Sequence, residues 1–85
     1  MSRNEILQKV RSFTLKELVK KPDYDLRNDE ALFSSGLIDS FAMAQVGVFI
    51  ETEFNLYISD PELTVENMDT ISQIADRIET GLAAA

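Results

Sequence analysis

The sequence contains neither cysteine nor histidine. Their absence removes the thiolate nucleophile, the imidazole base that works near neutral pH, the Ser-His triad and the usual zinc ligands. Catalysis by this chain alone is therefore not expected, and the sequence predicts a protein that is not an enzyme. Because no disulfide can form, nothing in the sequence requires an oxidising compartment.

Basic residues and long apolar runs are also scarce. Eight Lys and Arg residues stand against 15 Asp and Glu residues, which gives a formal net charge of -7. Phosphate backbones and anionic lipids would repel such a chain, so nucleic-acid binding is not expected. No run approaches the roughly 20 apolar residues of a membrane span, and the N-terminus carries no apolar segment of signal-peptide length. We predict no membrane insertion, a cytoplasmic location and a monomer.

The apolar spacing predicts an all-α fold in a single domain over residues 1–85. The first helix begins at a capping-box pattern, in which Ser2 is followed three residues later by Glu5. It should end near the Lys20-Lys21 pair, because Pro22 disfavours helical geometry in the residue before it. A connection of about eighteen residues follows, which is long for a compact domain. Its scattered apolar side chains predict a loop that packs against the core.

The second helix is predicted from about Ser40 to Phe54. Its first ten residues, 41–50, include one polar side chain, so no solvated face is evident. Phe41, Ala44 and Val48 form an apolar stripe at positions i, i+3 and i+7. This stripe is either a surface for a partner or a face that packs beneath the long loop. Glycine is costly inside a helix, so Gly47 at this position predicts close packing.

Two further helices are expected after the second. The Asp60-Pro61 pair, with Asp60 as the cap, predicts a third helix that is short. Thr70 and Gln73 repeat the capping-box pattern at the start of the fourth helix, and Gly81 is a candidate C-terminal stop.

Ser40 has two possible roles at the start of the second helix. Asp39 or Ser40 could be the N-cap, whose side-chain oxygen accepts a hydrogen bond from an N–H of the first turn. Alternatively, Ser40 Oγ could be exposed at the helix end, where another enzyme attaches a prosthetic group. Asp-Ser before an apolar run is a common cap signature, so the local sequence taken alone favours the capping role.

The order of these features resembles the acyl carrier protein family, and the likeness covers nearly the whole chain. It implies a four-helix bundle with three longer helices, a short third helix and a long loop between helices one and two. The residues that carry the resemblance are Leu32-Phe33, Gly36-Leu37-Ile38-Asp39-Ser40, Phe54, Leu56, Ile58 and the closing helix from Thr70 to Ile78.

The resemblance implies that a phosphopantetheinyl transferase attaches 4′-phosphopantetheine covalently to Ser40, using coenzyme A. The thiol of that arm would supply the nucleophile that the sequence lacks. Acyl or aminoacyl groups would then travel as thioesters from a loading enzyme to a downstream synthase, dehydrogenase or acyltransferase. Asp39 would cap the helix and help to present the metal-bound coenzyme A phosphates to the transferase.

The chain departs from fatty-acid carriers at the start of the second helix. Ala42 and Gln45 stand where acidic residues are usual, and Phe41 follows the serine where leucine is usual. A more apolar partner surface is therefore expected, because apolar complementarity discriminates partners where charge mainly speeds encounter. The residues assigned to this surface are Leu37, Phe41, Ala44, Gln45, Val48 and Ile58.

The cargo and pathway are open at this point. The pattern looks closest to dedicated carriers of polyketide or nonribosomal peptide pathways, including carriers of extender units, and is also similar to D-alanyl carriers. The alternative from another class is an unmodified helical interaction module that binds a partner through the second helix. A calcium-binding helical protein is disfavoured, because Asp23, Asp25 and Asp29 do not have the regular ligand spacing.

Overall fold

A computed structural model describes residues 1–84, and these form a bundle of helices without any strand. The α-helices of this described part are α1 (Arg3–Phe13), α2 (Met43–Phe54), α3 (Val65–Met68) and α4 (Ile71–Ala84). The predicted all-helical bundle, with three longer helices and a short third one, is therefore confirmed at this level.

The first helix has the predicted ends but an unexpected last section. At its start, Ser2 Oγ accepts the N–H of Glu5 at 3.2 Å, and the Glu5 carboxylate accepts the N–H of Ser2 at 3.3 Å. After α1 the backbone widens into a π-helix over Thr14–Val19, and it stops at Lys20, which has a left-handed φ of 61°. The apolar spacing did not predict the π-helix, because the spacing alone does not distinguish one helical hydrogen-bond pattern from another.

Residues 22–39 connect the first two helices as a chain of turns, and this loop is packed as predicted. Four of its apolar side chains are buried in the core: Leu26, Leu32, Phe33 and Ile38. The helical backbone then restarts as one 3₁₀ turn over Ser40–Ala42 and continues into α2. It ends at Asn55, which has a φ of 54°.

The glycine of α2 contacts a neighbouring segment closely, as predicted. Gly47 is buried, and a Cβ atom at that position would lie 2.8 Å from Leu63 Cδ1. Leu63 belongs to the segment between α2 and α3, so the missing side chain allows this segment to approach the helix.

The prediction for the third helix was wrong in its starting point. Asp60–Glu62 form a single 3₁₀ turn, and its N-cap is Ser59 rather than Asp60. The Ser59 hydroxyl donates to the Glu62 carboxylate at 2.9 Å. The chain then leaves helical geometry at Leu63, and α3 starts after Thr64, whose hydroxyl accepts the N–H of Asn67 at 3.3 Å.

The start of α4 was predicted correctly, but the role of Gly81 was not. Thr70 Oγ1 accepts the N–H of Gln73 at 3.0 Å, and Gln73 Oε1 accepts the N–H of Thr70 at 3.1 Å. Gly81 does not end α4 but lies inside it, buried against Leu56. A Cβ atom on Gly81 would be 2.4 Å from Leu56 Cδ2. Gly81 therefore serves close packing against Leu56 and does not terminate the helix.

Side-chain contacts show that α1 runs antiparallel to α2. The rings of Phe13 and Phe49 stack at 4.2 Å, and further along the pair Lys9 Nζ lies 2.7 Å from Glu53 Oε1. Helix α4 packs on α1 as well, where Arg3 pairs with Asp76 at 2.8 Å. Within residues 1–84, no helix combines the length and the apolar character needed to cross a bilayer. The buried apolar core consists of Ile6, Val10, Leu15, Leu26, Leu32, Phe33, Ile38, Met43, Val46, Ile50, Phe54, Ile58, Met68, Ile71, Ile74, Ala75 and Ile78.

Candidate functional site

Asp39, and not Ser40, is the N-cap of the second helical stretch. Its backbone is extended, with φ -70° and ψ 139°. Its carboxylate accepts the N–H of Phe41 at 2.9 Å, and its carbonyl oxygen accepts the N–H of Ala42 at 2.9 Å. Ser40 is therefore the first helical residue, and its hydroxyl is not needed for capping.

The Ser40 side chain lies at the surface. Among residues 1–84, no hydrogen bond involves Ser40 Oγ, and the residue is exposed. A primary hydroxyl in this position is sterically accessible to another protein. The positive end of the helix dipole would also favour an anion, such as a phosphodiester, on this oxygen.

The turn before Ser40 is fixed by backbone hydrogen bonds. The N–H of Gly36 donates to the carbonyl of Phe33 at 3.1 Å, and the N–H of Ile38 donates to that of Leu32 at 2.9 Å. Gly36 has a φ of 84°, which is in the region that favours glycine. Ile38 is only 4% exposed, so the chain is anchored in the core two residues before the exposed serine.

Asp69, at the junction of α3 and α4, holds this turn in place. Its Oδ1 accepts the N–H of Phe33 at 2.8 Å and that of Ser34 at 3.0 Å, and its Oδ2 accepts the Ser34 hydroxyl at 2.5 Å. Its carbonyl oxygen accepts the N–H of Leu32 at 2.7 Å. A pairing across more than thirty positions leaves no local pattern, so no signal in one sequence could have found it.

The charge of Asp69 is matched to these donors. Burial by itself raises the pKa of Asp69, but hydrogen bonds from the Ser34 hydroxyl and from the backbone N–H groups of Ser34, Phe33 and Leu32 outweigh it. The net effect is a lowered pKa, because these donors stabilise the ionised form.

The apolar stripe of the second helix is at the surface. Phe41 is 89% exposed and Val48 is 65% exposed, and both Ala44 and Gln45 between them are exposed. The long loop therefore does not cover the stripe. Large apolar side chains at such exposure leave a surface that a partner could bury.

Two other residues assigned to the partner surface lie differently. Leu37 is half-buried beside the Ser40 turn. Ile58 was expected at the surface, and this was wrong: it is only 3% exposed and belongs to the core. Side chains alternate between core and solvent in the extended segment after α2, and it is Tyr57, at 68% exposed, that faces outwards.

An open groove of about 480 Å³ runs beside the stripe, between the end of the first helix and α2. Its apolar lining includes the stacked Phe13 and Phe49. The groove places an apolar surface next to the exposed stripe, on the helix that Ser40 begins. The residues that line it are Phe13, Glu17, Ala44, Gln45, Val48, Phe49, Thr52 and Glu53.

No protein-family model matches this chain, and neither a curated protein nor a solved structure shows significant similarity to it. Nowhere in residues 1–84 do three or more carboxylate side chains converge in a way that could hold a metal ion.

Proposed function

We propose that this chain is a carrier protein of the acyl carrier type, modified on Ser40 with 4′-phosphopantetheine. The observation that carries the proposal is the position of Ser40. It is exposed, it is the first residue of a long helical stretch, and Asp39 already provides the cap. The hydroxyl is therefore available for a reaction on which the fold does not depend.

The surroundings of Ser40 suit the group that the resemblance implies. In the transfer, Ser40 Oγ would form a bond to phosphorus as the pyrophosphate bond of coenzyme A breaks, and adenosine 3′,5′-bisphosphate would leave. The hydroxyl proton would pass to a base of the transferase. Once attached, the arm supplies a thiol that holds acyl or aminoacyl groups as thioesters.

Two features of the chain support the binding of other proteins to its surface near Ser40. Phe41 and Val48 form an exposed apolar stripe that starts next to Ser40 on the same helical stretch, and the groove between the helices adjoins it. A transferase, a loading enzyme and a downstream synthase, dehydrogenase or acyltransferase would each need to approach Ser40 from this side. The departures of this stripe from fatty-acid carriers favour a dedicated polyketide or nonribosomal peptide pathway, with a D-alanyl carrier as the alternative cargo assignment.

The test is the intact mass of the protein after incubation with coenzyme A, magnesium and a phosphopantetheinyl transferase of broad specificity. The proposal predicts one added phosphopantetheinyl group in the wild type and none in Ser40→Ala. Because Ser40 does not cap the helix, Ser40→Ala should alter the free energy of unfolding by no more than about 0.5 kcal/mol. A folded wild type that several transferases leave unmodified would contradict the proposal.

A second candidate function is an unmodified module that binds a helix of a partner through the exposed stripe. It is favoured by the exposure of Phe41, at 89%, which a carrier role does not by itself require. Binding of this kind would be lost in Phe41→Asp but unaffected by Ser40→Ala, whereas the carrier function is lost in Ser40→Ala, so Ser40→Ala separates the two functions.

A further inference from the structure

We infer that Asp69 is a positioning residue for Ser40: by holding the Leu32–Ser34 segment against the α3–α4 junction, it keeps the serine in the orientation that a modifying enzyme recognises. The inference rests on the proposed modification of Ser40. It adds a residue that lies 29 positions beyond the serine in the sequence and that the modified hydroxyl does not itself contact.

Asp69 is connected to Ser40 through hydrogen bonds and through residues that are adjacent in the chain. Asp69 takes three hydrogen bonds on its carboxylate and one on its carbonyl oxygen, all from residues 32–34. Leu32 in turn accepts the N–H of Ile38 at 2.9 Å. Ile38 immediately precedes Asp39, the cap that sets the first turn of the helix.

The other end of the series is fixed to α4. The N–H of Asp69 donates to Gln73 Oε1 at 2.9 Å, and the same oxygen accepts the N–H of Thr70 at 3.1 Å. Gln73 also donates through Nε2 to the carbonyl of Glu66 at 2.9 Å. The capping box of α4 thus fixes the position of Asp69. Through its hydrogen bonds to residues 32–34, Asp69 in turn fixes a loop that has no regular secondary structure of its own.

Without the carboxylate, the turn would lose three of its attachments while the buried Leu32, Phe33 and Ile38 kept the loop near the core. The competent orientation of Ser40 would become one of several. A ligand that binds only a fraction of the population shows an apparent affinity reduced by that fraction. The KM of the transferase for this protein should therefore rise, while kcat, which describes the bound and ordered complex, should change little.

The experiment compares Asp69→Ala with Glu62→Ala, using the full chain at pH 7. Glu62 is the matched control, because its carboxylate likewise accepts several hydrogen bonds, from Ser59 and Arg77, but holds the 3₁₀ turn that precedes α3 and makes no hydrogen bond with residues 32–34. We expect Asp69→Ala to raise the KM for phosphopantetheinyl transfer roughly tenfold, with kcat within about twofold of the wild type. Glu62→Ala should leave both constants unchanged.

Two milder variants keep the test decisive if Asp69→Ala does not fold. In Asp69→Asn, Oδ1 still accepts the two backbone N–H groups, and the amide can donate to the Ser34 hydroxyl. The KM of this variant should therefore lie close to the wild-type value. Ser34→Ala removes one hydrogen bond and should raise KM by a smaller factor. A folded Asp69→Ala whose KM rises no more than that of Glu62→Ala would overturn the inference. If Asp69→Ala does not fold, a wild-type KM in Ser34→Ala would overturn it.

Amide hydrogen exchange distinguishes failure of this inference from failure of the proposed function. If no transferase modifies the wild type, the proposed function fails, and with it the inference about presentation. Suppose instead that the wild type is modified, but the N–H groups of Phe33 and Ile38 exchange no faster in Asp69→Ala than in the wild type. The hydrogen bonds of Asp69 then do not hold this segment in place, and only the inference about Asp69 is refuted.

Discussion

The carboxylate of Asp39 accepts the backbone N–H of Phe41 at 2.9 Å, so one residue caps the helix whose first position is Ser40. This contact separates two roles that the sequence could not. Asp39→Ala should destabilise the fold by about 0.5–2 kcal/mol, because the N–H of Phe41 loses its acceptor. Asp39→Asn retains an acceptor oxygen, so it should lower the free energy of unfolding by only a small part of that amount. Urea or thermal unfolding of the two variants measures the difference.

The same pair of variants tests whether the charge of Asp39 serves the transferase. If the carboxylate helps to present metal-bound phosphates, Asp39→Asn should be folded and capped yet modified more slowly on Ser40. Equal modification rates for Asp39→Asn and the wild type would show that Asp39 acts only as a cap.

The exposed stripe predicts a separation of function from stability. Phe41→Asp and Val48→Asp should change the free energy of unfolding by less than about 0.5 kcal/mol, because both side chains are more than half exposed. Ile50→Ala, at a fully buried position of the same helix, should cost about 2–5 kcal/mol.

Transfer assays with a cognate loading enzyme complete that comparison. The two aspartate variants should impair transfer, and Glu51→Ala, at an exposed position of α2 outside the stripe and the groove, is the control for substitution as such. A large loss of thermal stability in Phe41→Asp would contradict its position at the surface. Wild-type transfer in both aspartate variants would show that the stripe is not the surface that the enzyme uses.

Gly36 provides a test of backbone strain next to the site. Its φ of 84° is unfavourable for a side chain, although a Cβ atom there would meet no other atom within 4 Å. Gly36→Ala should therefore destabilise through the backbone alone, by about 1–2 kcal/mol. Gly36→Asn should cost less, since asparagine tolerates the left-handed region better. Thermal unfolding of both variants measures this, and equal losses would argue against a conformational cause.

The predictable features of this chain were those encoded over a few residues. Ser2 with Glu5, and Thr70 with Gln73, are local patterns, and each capping box formed where it was expected. Asp39 before Ser40 marked a helix start in the same way. Gly81 was misread because a glycine that ends a helix and a glycine that admits a neighbouring side chain look alike in one sequence.

The features that were missed depend on tertiary contacts. The hydrogen bond from the N–H of Phe33 to the Asp69 carboxylate spans 36 positions, and only the folded arrangement brings the two residues together. Ile58 was placed at the surface because no local pattern says which alternate side chain of an extended segment turns inward. The π-helix from Thr14 to Val19 likewise gives no signal in the spacing of apolar residues.

Several carboxylates in the structure favour their ionised form. The Arg77 guanidinium is the main cause of the lowered pKa of Glu62, and the backbone N–H of Ser2 that of Glu5. The Tyr24 hydroxyl has the same effect on the pKa of Glu30, and the donors of residues 32–34 lower that of Asp69. A carboxylate whose pKa is lower in the folded state than in the unfolded state stabilises the fold above its unfolded pKa.

The protein should therefore be less stable in acid than at neutral pH, and protonation of Asp69 should contribute to this loss of stability. Ordinary carboxylates have pKa values of about 3.9–4.3, so the melting temperature should be nearly constant from pH 7 to about 5.5 and fall as the pH passes below about 4.5. Asp69→Asn carries no titrating group at that site, so its melting temperature should fall less over the acid range than that of the wild type. Asp23→Asn, at an exposed loop position, is the control. Melting curves between pH 3 and 7 measure all three proteins, and parallel acid branches for Asp69→Asn and the wild type would show that the hydrogen bonds to Asp69 do not depend on its charge.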